Sequence, residues 1–189
     1  EEREAAGVAG LSIEDTALPQ PFGALDKTQL ISVEEGVGKM KAALAGRSDP
    51  KLMIFGRTSA ISLTGLDDTV KRIAAYEAAG VDAIFLIGVK TKEQLAACRA
   101  AVELPLMLGG AGPEIMDLDY LSAMNVRLCL QSHAPFMAAV QAVYDTLKAL
   151  RDGTPPKELE GVAPPEMMQR LTGAAGYQAR MRDWLGGDQ

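Results

Sequence analysis

The sequence predicts an α/β fold built on a parallel sheet, and three observations carry that prediction. Short apolar runs alternate with stretches of helical periodicity along the chain, the pattern of parallel strands joined by right-handed crossover helices. The runs end in polar or glycine residues: Glu14-Asp15, Gly56-Arg57-Thr58, Gly109-Gly110-Ala111-Gly112 and Gln131-Ser132-His133. No G-x-G-x-x-G follows any of them, so the dinucleotide-binding sheet loses its main support. Closely spaced units with polar strand ends suit a (β/α)8 TIM barrel, here a partial one of about five parallel strands with outer helices.

The elements follow in order. Glu1 to Gly7 reads as the last turns of a helix closed by Gly7. Val8 to Ile13 is a short apolar run, expected as a strand buried on both faces. A proline-broken loop follows it. Ser32 is expected to cap a helix to about Ala45, with Glu35 completing a capping box and Val37, Met40, Ala43 and Leu44 on its apolar side. Leu52 to Phe55 is the second strand. Gly65 to Ala79 is a helix with Leu66, Val70, Ile73 and Ala74 as its stripe and Gly80 as its stop.

Val81 to Ile87 is the third strand, and Thr91 caps a helix to about Ala101. Leu104 to Leu108 is the fourth strand, after which Pro113 is placed at the first position of a helix that Met124 closes. Val126 to Leu130 is the fifth strand. Pro135 opens a long helix whose apolar face holds Phe136, Val140, Val143, Tyr144, Leu147 and Leu150. The partial barrel, as the last five βα units, is thus expected over residues 1–152. A helical tail over 153–189 begins at the Pro155-Pro156 link. It carries helical patterns near Pro164 to Leu171 and Tyr177 to Leu185, the latter expected to be anchored by Trp184.

The 189 residues suffice for one good core, which 48% hydrophobic and 5% aromatic residues make aliphatic. A net charge of -6 argues against nucleic acid and against an anionic membrane surface. No apolar run is long enough to span a bilayer, and none has the make-up of a signal peptide. Cys98 and Cys129 are scattered, which suits a reducing cytoplasm. The first methionine is Met40, and a full barrel takes roughly 250 residues, so about three βα units are expected to be missing from the front.

In a barrel the strand ends converge on one face, and the usable groups there are Glu14, Asp15, Arg57, the glycine loop and His133. Arg57 can clamp a carboxylate with two parallel hydrogen bonds, or it can form an ion pair with Glu14 or Asp15. His133 is the only histidine; it is either a satisfied polar residue or a strand-end contributor to chemistry. The loop from Gly109 to Gly112 either cradles a phosphate or makes a tight turn, and no basic residue accompanies it. Neither a nucleophile elbow nor a pair of cysteine or histidine metal ligands occurs.

Ser12-Ile13-Glu14-Asp15, Arg57-Thr58 and the run Ala75 to Asp82 together resemble the isocitrate lyase / phosphoenolpyruvate mutase superfamily. Within it, Leu18-Pro19-Gln20-Pro21-Phe22-Gly23 and Ser132-His133-Ala134 are most similar to bacterial oxaloacetate decarboxylases. The resemblance implies a Mg2+-dependent decarboxylation of oxaloacetate to pyruvate and CO2, with Mn2+ as a possible substitute. It implies Arg57 and His133 as substrate contacts and Glu14 as the holder of metal-bound water. Asp15 would orient the loop, and Gln20 to Gly23 would form a lid. Direct metal ligands are not implied in this chain, because the family's metal aspartate and substrate-gripping serine lie on earlier strands. A cytoplasmic homo-oligomer, tetrameric in the family, is expected.

Two other readings compete. One is a carbon–carbon lyase acting on a methylisocitrate-like acid, but the lid sequence Gln20-Pro21-Phe22-Gly23 carries neither the thiol nor the histidine of such lyases. The other is an inactive barrel fragment that serves as a binding or oligomerisation module.

Overall fold

The computed structural model describes residues 2–19, 23 and 28–186, which fall into two compact units, Glu1–Ser132 and His133–Gln189. The first unit holds α1 (Glu2–Ala5), β1 (Gly10–Glu14), α2 (Val33–Ala45), β2 (Met53–Thr58), α3 (Ala60–Leu63), α4 (Leu66–Ala79), β3 (Ala83–Leu86), α5 (Lys92–Ala101), β4 (Leu106–Leu108), α6 (Leu118–Ala123) and β5 (Val126–Cys129). The second holds α7 (Ala134–Arg151), a 3-10 turn (Pro156–Glu158), α8 (Pro165–Leu171) and α9 (Ala174–Leu185).

The five strands pair in parallel and in sequence order. The sheet is therefore the expected partial barrel, unclosed, with β1 and β5 at its edges. Side chains alternate across each strand. In β2, Ile54, Gly56 and Thr58 are buried, while Phe55 and Arg57 are only half-buried. The buried set meets the helices: Ile54, Ile84, Leu86, Leu106 and Leu108 pack with Met40, Ile73, Leu95 and Cys98 in one core. Each such side chain contributes about 2 kcal/mol of burial free energy.

Local chemistry explains most boundaries. Ser32 Oγ accepts from the Glu35 main-chain N–H at 3.1 Å. The reciprocal capping box forms instead at α5, between Thr91 and Gln94. Gly80 ends α4 with φ +98°, a left-handed conformation that glycine adopts without strain.

Several expectations are corrected. β1 is half-buried throughout, because an edge strand has a neighbour on one side only. Pro113 does not open a helix: Asp117 does, since its Oδ1 accepts from the Tyr120 N–H at 2.8 Å. The buried side of α4 is Thr69, Arg72, Ile73 and Tyr76, whereas Ala74 is exposed. Polar residues displace the expected stripe because each is hydrogen-bonded. The short α3 was not expected. In the second unit α9 starts earlier than expected, at Ala174, and Trp184 is 79% exposed, so it does not anchor that helix. None of the side chains of α7 is buried.

Candidate active site at the strand ends

β1 and β2 end side by side, and their register sets Glu14 directly opposite Arg57. Arg57 Nε lies 3.0 Å from Glu14 Oε2, with the two side chains 35% and 31% exposed. The Nε–H is not aimed at that oxygen and has no hydrogen-bond partner. The pair is thus a charge contact, and at this exposure it is worth at most about 1 kcal/mol. On the other side of Arg57 the register brings Phe85, and the guanidinium carbon sits 5.3 Å from its ring centre. That cation–π contact orients the fork and shields it on one side. From α2, Lys39 Nζ donates to the Glu14 carbonyl oxygen at 2.6 Å, which fixes the main chain beneath the carboxylate.

Asp15, one residue on, points the other way and is fully buried. Its Oδ2 accepts from the Tyr76 hydroxyl at 2.7 Å and from Arg72 Nη1 at 3.2 Å. The same Nη1 donates to the Ile31 carbonyl at 2.9 Å, and Arg72 Nε donates to Asp68 Oδ2 at 2.8 Å. The Asp15 main chain is held on both sides as well: its N–H donates to Arg57 O at 3.3 Å, and its C=O accepts from Ile31 N at 2.9 Å. Thr16 and Leu30 close the same loop with an antiparallel bridge. Burial, and then the hydrogen bond to Asp15 and its charge, push the Tyr76 hydroxyl well above the ordinary phenol value, so it stays protonated.

The sheet thus brings Glu14 and Arg57 together and separates Asp15 from them. His133 begins the second unit as the exposed N-terminal neighbour of α7; its carbonyl accepts from Met137 N at 3.0 Å, and its side chain makes no capping bond. Gln20, Pro21 and Phe22 lie outside the described residues, and Gly23 alone of that segment is described. In the glycine loop, Gly112 O accepts from both Ile115 and Met116 N–H groups, so the loop is a turn. Cys98 is an inert core thiol, pushed up to about 11 by burial.

Sequence reasoning missed Arg72, Tyr76 and Lys39. Asp68, Arg72 and Tyr76 stand four apart on one helix face, and Tyr76 lies within the family-like run Ala75 to Asp82. Either signal could have marked them.

No group of three or more His, Cys, Asp or Glu side chains able to hold a metal ion forms among the described residues. A hard divalent cation needs one or two carboxylates and several waters. Asp15 is committed to Tyr76 and Arg72, which leaves Glu14 as the half-exposed carboxylate of this strand end. These residues fit an outer contact with a hydrated cation and do not fit direct coordination.

An acid and a cation thus stand together at the carboxyl ends of neighbouring parallel strands, the end where (β/α)-barrel proteins place their ligand sites. Residues 1–151 match the family model of phosphoenolpyruvate phosphomutase, and the chain belongs to that family. It is similar to an oxaloacetate decarboxylase of Bradyrhizobium diazoefficiens, 58% identical over 186 residues that cover 98% of this chain and 64% of the relative. Among solved structures it is similar to phosphoenolpyruvate phosphomutase from Streptomyces platensis subsp. rosaceus, with a TM-score of 0.79 at 25% identity, over 96% of this chain and 66% of that one. It is also similar to phosphonopyruvate hydrolase in complex with oxalate and Mg2+, with a TM-score of 0.78 at 28% identity, over 96% and 65% of the two chains. The chain spans somewhat less than two thirds of the curated relative's length.

Proposed function

We propose that the chain serves the decarboxylation of oxaloacetate to pyruvate and CO2. The observation that carries this reading is the half-exposed Arg57 guanidinium, set between Glu14 and the Phe85 ring at the strand ends. The name of the relative that is 58% identical over nearly the whole chain supports it. Arg57 would grip one carboxylate of the substrate, and its Phe85 neighbour would strengthen that grip by excluding water. Loss of CO2 from a β-keto acid breaks one carbon–carbon bond, leaves its electron pair in an enolate, and needs no base to start. Mg2+ or Mn2+, when bound, supplies the sink for that charge; Glu14 would hold one of its waters, and Asp15 would orient the loop that follows. His133 enters by resemblance alone, as a contact to the substrate or to the forming enolate.

The test is oxaloacetate turnover by a chain extended to the length of its relatives, with Mg2+ or Mn2+ supplied. Pyruvate formation is expected, and no turnover with either metal would overturn the reading. In that protein Arg57→Lys should lower kcat/KM by about tenfold or more through loss of the paired hydrogen bonds. His133→Ala should lower kcat more than it raises KM. Full activity in both variants would leave the chain as scaffold.

We further propose a cytoplasmic homo-oligomer that uses the face of α7 where Phe136, Val140, Val143, Tyr144 and Leu147 are exposed. Phe136→Asp with Leu147→Asp should lower the mass measured by sedimentation. An unchanged mass would exclude that face.

A further inference from the structure

We infer that Tyr76 and Arg72 are positioning residues that set Glu14 through Asp15. This inference rests on the reading of Glu14 as part of the active site. Glu14 and Asp15 share a peptide bond, so whatever fixes Asp15 fixes the plane from which the Glu14 side chain leaves.

Four links hold Asp15, and two come from α4: the Tyr76 hydroxyl at 2.7 Å and Arg72 Nη1 at 3.2 Å, both on Oδ2. The other two are main-chain bonds to Arg57 O and from Ile31 N. Arg72 joins these two sets, because its Nη1 also donates to the Ile31 carbonyl. The ends of the loop between β1 and α2 are therefore tied to each other and to the residue opposite Glu14.

Two glycines make room for the arrangement. A Cβ on Gly36, inside α2, would lie 2.6 Å from the Tyr76 hydroxyl oxygen, and one on Gly56, inside β2, would lie 3.1 Å from Tyr76 Cβ. Glycine weakens helix and strand interiors and marks close approach there. Both glycines face one tyrosine, and Gly56 immediately precedes Arg57. Simple core filling does not need a ring that reaches a buried carboxylate between two glycines. Asp15 Oδ1 is buried with no partner, so the orientation of this carboxylate depends on the donors to Oδ2 alone.

The test uses Tyr76→Phe, Arg72→Lys and Asp15→Asn, read in two ways. In the chain extended to its relatives' length, Tyr76→Phe should lower kcat for oxaloacetate by about tenfold, the equivalent of one buried hydrogen bond, with KM within about twofold. Its effect should be non-additive with that of Asp15→Asn. In the chain as it stands, amide hydrogen exchange should quicken at Asp15 and Ile31 in Tyr76→Phe and in Arg72→Lys, and stay unchanged in α5 and β4. Local quickening supports the inference even if oxaloacetate proves not to be the substrate, which would overturn the proposed function alone. Exchange that quickens evenly over the whole unit, or parental exchange at both amides, would overturn the inference. Parental kcat in a folded, active Tyr76→Phe protein would also overturn it.

Discussion

Glu14 and Asp15 carry the same functional group on adjacent residues, yet the two faces of the sheet give them different work. Asp15 turns toward α4, is fully buried, and meets a tyrosine and an arginine. Glu14 turns toward the face away from the helices, stays about a third exposed, and meets one arginine without a hydrogen bond to its Nε–H. The period-2 alternation of a strand sends one carboxylate into the dry core and leaves the other half-exposed. A dry carboxylate has to be matched by donors, which makes it rigid and expensive to disturb. A half-wet one can change partners, which is what a ligand site requires.

The sharpest way to break this comparison is to delete each carboxylate in turn. Asp15→Ala leaves the Arg72 charge with Asp68 alone and the Tyr76 hydroxyl without a partner in a dry site. Urea unfolding should show a loss of about 3 kcal/mol or more. Glu14→Ala should cost less than about 1 kcal/mol. Equal losses would mean that the two faces do not differ in this way.

Gly36→Ala tests the buried side more gently. The added methyl must displace the Tyr76 hydroxyl or shift α2. Overpacking of this kind costs about 1–3 kcal/mol, although alanine is the better helix former. In a Tyr76→Phe background the same substitution should cost clearly less, because the closest atom is gone. An equal cost in both backgrounds would place the strain elsewhere.

What the sequence displayed was the half of this contrast that rests on local information. The succession of strands and helices, the Ser32 and Thr91 caps and the Gly80 stop follow from short-range patterns, whereas the choice of Glu14 over Asp15 as the partner of Arg57 is made by the register of β1 on β2. The buried half joins residues 57 and 61 positions apart, and no local pattern states such a partnership. A stripe chosen by hydrophobicity took Ala74 and passed over Arg72, because burial of an arginine is favourable only once its partners are known. Pro113 was expected to open α6, but it has no side chain able to accept a hydrogen bond, and the helix is capped by Asp117, which has one. Gly36 and Gly56 were visible throughout, but a glycine marks a close approach without naming what approaches.

The smallest expected effect concerns pH. Burial raises the Asp68 carboxyl, but hydrogen bonds from Arg72 and Thr64 and the Arg72 charge together outweigh it and hold the group below its ordinary value. Around that value the folded chain binds fewer protons at Asp68 than the unfolded chain does. The contribution is therefore complete above the unfolded pKa and is lost as pH falls through the lower folded one. Asp68 is partly exposed, with 27% of its side chain accessible, so solvent screening keeps the contribution below about 1 kcal/mol. Asp68→Asn keeps the shape and removes the charge at every pH. The urea midpoint of Asp68→Asn should therefore lie below that of the parent at neutral pH, and the gap should narrow as acid protonates the parent. A gap that stays constant into acid would show that Arg72 relies on Asp15 alone, and that the buried network ends at the strand without extending along α4.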